Sequence, residues 1–177
     1  MKLQLRENSR ENNIECHMKQ SIHPKTTIGH IHLKVANLER SVKFYADILG
    51  FEVMARMGNS AAFLSAGGYH HHIGLNTWES ANGNPPQQGS TGLYHFAILV
   101  PNRKELAKVF KRLEKHKWPI EGASDHGVSE AIYLRDPDGN GIEIYVDRPR
   151  DKWPHDSQGK LIMPTNHLDI DNLLQEL

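Results

Sequence analysis

An α+β fold made of two tandem β-α-β-β-β modules is what this sequence predicts, and three observations carry the prediction. The stretch IGHIHLKV alternates, with Ile31, Leu33 and Val35 on one side and His30, His32 and Lys34 on the other, the period of a half-buried strand. The segment that follows repeats apolar residues at helical steps and gives way to three short strand-like runs. The order then begins again at LYHFAILV. HIHLKVAN, from His30, lies without gaps over HFAILVPN, from His95, which makes a repeat of about 65 residues.

In the first module Asn37 caps a helix whose Leu38, Val42, Tyr45 and Leu49 form the buried stripe, and Gly50 stands where a left-handed stop is expected. FEVMARM, SAAFLSA and HHHIGLNTW are its three strands, punctuated by GNS and AGG. The polar loop ESANGNPPQQGST leads to the second module. There N-R-K-E, Asn102 to Glu105, reads as a capping box, and Leu106, Phe110 and Leu113 mark the buried face of the helix. GAS, EAIYLRD and GIEIYVD complete it, with PDGNG turning the last hairpin. Module 1 is thus expected over about 27–79 and module 2 over about 92–149, within one domain at 27–149. Residues 1–26 read as a flexible N-terminal extension in which Met18 is a second candidate start. Residues 150–177 read as a proline-marked tail whose LDIDNLLQEL docks as a short helix through Leu168, Leu173, Leu174 and Leu177.

The chain has 177 residues, with 21 basic and 21 acidic side chains. That length suits one domain with a real core, and the balance of charge removes the electrostatic reason to expect nucleic acid or an anionic membrane as partner. No run approaches the roughly 18 apolar residues of a membrane helix, and the charged first segment lacks the apolar core of a secretory signal. A single cysteine, Cys16, forbids an intrachain disulfide and fits a reducing cytoplasm. What stands out is twelve histidines, more than tyrosine and phenylalanine together. Histidine is the commonest metal ligand and the side chain that titrates near neutrality.

The repeat sorts them. The first strand of each module turns its apolar residues toward its own helix, so the opposite side, carrying His30 in one copy and His95 in the other, faces what the modules enclose. Glu143 lies between Ile142 and Ile144 and points away from the core they face. Two imidazoles and one carboxylate on three strands make a facial triad with open positions for substrate and for oxygen or water. His17, His23, His116, His155 and His167 fall in tails or at a helix end, where solvent explains them, and His32 shares a face with His30 as its neighbour.

HIHLKVANLERSVKFYADILGF, GLYHFAILV and YLRDPDGNGIEIY resemble the vicinal oxygen chelate superfamily, which includes glyoxalases, bleomycin and fosfomycin resistance proteins and extradiol dioxygenases. The resemblance covers roughly residues 27–149. It implies two βαβββ modules forming a cup-shaped mixed sheet around a divalent metal, with His30, His95 and Glu143 as ligands. Glyoxalase I enzymes use a fourth ligand on the last strand of the first module, and HHHIGLNTW offers no carboxylate until Glu79. The nearer likeness is the bacterial catechol 2,3-dioxygenase-like subgroup, through the DHGVSEA element. It implies His71 as an acid-base histidine, with His72 ranked second. Alternation from Ile73 and Leu75 would put His71 on their side and His70 and His72 on the concave side, unless a bulge intervenes. The resemblance also gives Tyr133 the place of a tyrosine that hydrogen-bonds a catecholic oxygen. It sets His126 on the rim, two residues closer to Tyr133 than in the ring-cleaving dioxygenases.

The expected function is therefore extradiol ring cleavage of a small catechol-type aromatic substrate by dioxygen, with Fe(II), or Mn(II) in its place, at the site. Two neutral histidines and an ionised glutamate would leave a charge of +1 for the substrate monoanion to neutralise. A glyoxalase-like lyase, a fosfomycin-resistance-like thiol transferase and a metal-free small-molecule-binding module are the competing readings, since one fold hosts many functions. No nucleic acid or membrane partner is expected. A homodimer partner is expected to close the pocket, because ring-cleaving enzymes often hold two such two-module domains and this sequence holds one.

Overall fold

The computed structural model describes residues 21–177. Most of the extension expected over 1–26, with Cys16, His17 and Met18, lies outside the described residues. Module 1 runs β1 (Ile31–Lys34), α1 (Leu38–Lys43), a π-helical turn at Phe44–Ile48, β2 (Glu52–Met57), β3 (Ala61–Ser65) and β4 (Ile73–Asn76). Module 2 runs β5 (Phe96–Leu99), α2 (Arg103–Lys115), β6 (Ile120–Asp125), β7 (Ser129–Arg135) and β8 (Gly141–Asp147). A 3₁₀ turn (Arg150–Lys152), β9 (Asn166–His167) and α3 (Ile170–Leu174) follow. Among the described residues no helix is long and apolar enough to cross a membrane.

The strands form two mixed sheets, ordered β1-β4-β3-β2 and β5-β8-β7-β6-β9. In each module the first strand pairs in parallel with the last, β1 with β4 and β5 with β8, as a helical crossover allows. The strand after the helix joins by antiparallel pairing at the far side.

Local chemistry sets the helix ends. The Asn37 side chain accepts from the amide of Arg40, and that of Asn102 from the amide of Glu105. Only half of the expected capping box forms, because the Glu105 carboxylate turns outward to Lys108. After Lys43 the first helix widens, with the Leu49 amide reaching back to the Phe44 carbonyl. The widened turn buries both Phe44 and Tyr45. Gly50 ends it at a φ of +88°, a left-handed position that favours glycine.

One hydrophobic core spans both modules, from Leu33, Val42 and Leu75 to Leu106, Ile132 and Ile144. The Asp136–Asn140 turn locks them together. Asp138 accepts from the Ala36 amide, the Ser41 hydroxyl and the Arg40 guanidinium, and Asp136 accepts from the Tyr45 hydroxyl. Arg112 of α2 donates to the Leu49 carbonyl with its guanidinium over Gly50. Both aspartates are buried, and each is satisfied by several donors, as an ionised group removed from water requires.

Candidate active site

Module 2 brings together a connected set of polar groups. Glu143 sits on β8 between two fully buried isoleucines, so strand alternation sends its carboxylate to the opposite face. Tyr133 is its cross-strand partner on β7, and Ala97 of β5 lies beside it in the parallel pairing. His95 immediately precedes β5. The result is that Glu143 Oε2 lies 3.1 Å from His95 Nε2, while Oε1 accepts from the Tyr133 hydroxyl at 3.1 Å. The Tyr133 oxygen is also 2.7 Å from Nε2 of His126, whose Nδ1 is 2.9 Å from the Pro164 carbonyl oxygen. Burial, then the nearby Glu143 charge and the hydrogen bond to it, push the Tyr133 phenol up to about 12.

Three of these groups line a cleft of about 600 Å³, with Glu143 behind them. His95, Tyr133 and His126 line it with Tyr94, Ser124 and Thr165, and every residue of its lining comes from module 2 or the tail.

Module 1 presents a separate cluster. His30 packs against His71 with ring centroids 4.4 Å apart and the rings tilted by 47°, and Phe63 closes on His71 at 5.1 Å. His32 lies over Gly74, where an added Cβ would come within 2.9 Å of its ring, and reaches Phe63 and Trp78. The alternation problem at His70–His72 resolves because β4 starts only at Ile73. Free of the pleat, His71 turns to His30 and Phe63, and His72 turns to the Ser65 hydroxyl, 3.0 Å from its Nδ1. The Nδ1 atoms of His70 and His71 are 2.7 Å apart, within hydrogen-bond distance. Burial, then the neighbouring His30, His70, His32 and His72, hold the His71 imidazole below the usual histidine range.

Of the expected ligands, then, His95 and Glu143 meet, and His30 stays with His71 on the module 1 face. Among the described residues no three histidine, cysteine or carboxylate side chains converge to hold a metal ion. A ring nitrogen and a carboxylate oxygen at 3.1 Å nevertheless suit two positions of a site for a divalent ion of iron, manganese or zinc type. Sequence reasoning missed the tail's part in this cleft, because Pro164 and Thr165 carry no side-chain chemistry that would mark them.

The model of the Glyoxalase/Bleomycin resistance protein/Dioxygenase superfamily matches residues 27–144. The chain belongs to this superfamily. It is 47% identical over 156 residues to a catechol-2,3-dioxygenase of Bacillus subtilis, covering 88% of this chain and 54% of that protein. It is 28% identical over 139 residues to the metallothiol transferase FosB of Lysinibacillus sphaericus, covering 77% and 94%. The chain thus spans about half the length of the first curated relatives it matches. In fold it is similar to a glyoxalase/dioxygenase from Nostoc punctiforme, with a TM-score of 0.60 at 20% identity over 73% of this chain and 98% of that one.

Proposed function

We propose that the protein is a metal-dependent extradiol dioxygenase that cleaves a catechol-type aromatic substrate with dioxygen, and that its site is completed between two copies of the chain. The observation that carries the reading is the line His95–Glu143–Tyr133–His126 along one cleft, since a thiol transferase or lyase has no need of the Tyr133–His126 end. The likeness to the Bacillus catechol-2,3-dioxygenase supports it. His95 and Glu143 of one copy and His30 of the other would hold Fe(II), or Mn(II), which as a Lewis acid would lower the pKa of a chelated catechol. The all-module-2 lining of the cleft and the separate His30–His71 pair support this division.

The residues of the chain then take distinct parts. His30 and His71 lie in contact, so the copy that supplies the third ligand would also supply a base. His71, held neutral by its surroundings, is suited to take a catechol proton near pH 7. Tyr133, protonated well past neutrality, would orient a substrate oxygen by turning to it the one O–H that it otherwise gives to Glu143, and His126 Nε2 meets the phenol from behind. A reducing cytoplasm would keep the iron ferrous.

The competing thiol-transferase reading is favoured by size, because the chain covers 94% of the FosB protein. Anaerobic metal analysis followed by oxygen uptake and ultraviolet assay across a catechol panel separates the two. Stoichiometric metal with oxygen consumption and a yellow ring-fission product is the expected result. Metal without oxygen uptake on any catechol would overturn it in favour of the transferase or lyase, and the absence of stoichiometric metal would leave a metal-free binding module.

A further inference from the structure

We infer that the C-terminal tail is a positioning element of this cleft, with the Pro164 carbonyl fixing the tautomer of His126. The inference rests on reading the cleft as the active site, although its first test does not depend on turnover. The superfamily match ends at residue 144, and the tail beyond it returns to module 2 beside His126. β9 adds to the free edge of β6, pairing His167 with Ser124 and Asn166 with Asp125, directly before His126. Leu168 and Leu173 are buried, and α3 is tied to α2 by Arg103, which donates to Asn172 and pairs with Glu176. The same Arg103 pairs with the buried Glu130, which also receives Arg148.

The loop and the tail are fitted to each other. Gly127 has a φ of +72°, and a Cβ there would lie 2.8 Å from Pro154 and 3.3 Å from Pro164. That close approach sets the Pro164 oxygen 2.9 Å from His126 Nδ1. A carbonyl oxygen only accepts, so Nδ1 carries a proton, and Nε2 of the neutral ring is left as an acceptor that competes with Glu143 for the single Tyr133 O–H proton. The tail thereby decides which nitrogen His126 turns to the site. Pro164 is a positioning residue acting through its backbone, and Tyr133 is the group through which the effect reaches the substrate.

Long-range ¹⁵N–¹³C spectra of histidine-labelled protein, assigned with His126→Gln, read the tautomer directly. The Nδ1–H form is expected for neutral His126, and the Nε2–H form would overturn the inference. Deletion of residues 164–177 should abolish the preference, with kcat on a catechol falling roughly 10- to 100-fold and metal content unchanged. Where that truncation fails to fold, Gly127→Ala, which keeps every tail residue but pushes the tail from the loop, should shift the tautomer likewise. An unchanged tautomer in the folded variant would refute the tail's role. A dead enzyme with the expected tautomer behaviour would count against the dioxygenase reading alone.

Discussion

The Tyr45 hydroxyl donates to Oδ2 of Asp136 at 2.9 Å, joining the helix of module 1 to the last turn of module 2 across 91 residues of sequence. Both residues are buried, and burial, then the Asp136 charge, drive the phenol pKa well above its ordinary range. Tyr45→Phe keeps the ring in the core but removes one donor from an ionised group. The expected loss is about 1.5–3 kcal/mol, the range for hydrogen bonds to charged partners. It would be read as a lower urea midpoint at unchanged slope. A midpoint equal to that of the parent would show that the bond does not hold the modules together.

Gly141 supports His95 by being absent of side chain. A Cβ there would stand 2.1 Å from the Tyr94 carbonyl oxygen and 3.0 Å from the Cβ of His95. The first clash is with backbone, so no rotamer change relieves it. Gly141→Ala is expected to cost about 1–3 kcal/mol as overpacking and to move His95 away from Glu143. Thermal melting should show the first effect and a metal titration the second, with affinity at least about tenfold weaker. Retention of parental metal affinity would separate the His95 position from this packing.

Much of this architecture is legible in the sequence because it follows from local rules. Alternation gives Leu33 and Val35 to the core and turns His32 to the opposite face, and the Asn37 and Asn102 caps stand where the short polar side chains precede apolar periodicity. Alternation about Ile142 and Ile144 turns Glu143 to the face where His95 meets it, whereas His30, which the repeat sets opposite His95, lies with His71 instead. Contacts between distant segments were not legible. Asp136 and Asp138 read as turn residues, and nothing local says that their carboxylates clasp Tyr45 and Ser41. Likewise the repeat relates His30 to His95 but does not say which copy of each module shares a cleft. Alternation failed at His71 because it assumes a strand, and the pleat begins two residues later.

Tyr133 offers a titration that reports on Glu143 in the metal-free protein. Its folded-state pKa is raised to about 12 from the ordinary value of 10.0. The folded protein therefore holds this proton where the unfolded chain has lost it. Its contribution to stability is intact below pH about 10 and is lost as pH rises toward about 12. The phenolate absorbance of the parent minus that of Tyr133→Phe should give a midpoint near the upper value. In Glu143→Gln the midpoint should fall, though not to the free-tyrosine value, because burial is the larger cause. An unshifted midpoint in that variant would place Glu143 outside the influence of the phenol.

The proposed division of ligands between copies makes the sharpest prediction. On that proposal His30→Ala removes the module 1 ligand and Glu143→Ala the module 2 carboxylate, so each variant alone should retain no stoichiometric metal and turn over no catechol. In a symmetric pair whose sites each take His30 from one copy and Glu143 from the other, a mixed dimer has one intact site and one doubly altered site. Equal mixing with subunit exchange should then restore roughly a quarter of the parental metal and activity, half of the dimers being mixed and half of their sites intact. Recovery should follow protein concentration, as assembly by mass action requires. A site built within one chain would gain nothing from mixing. No recovery under conditions where subunit exchange is demonstrated would therefore return His30 to the same chain as Glu143, and would require the two modules to close on each other.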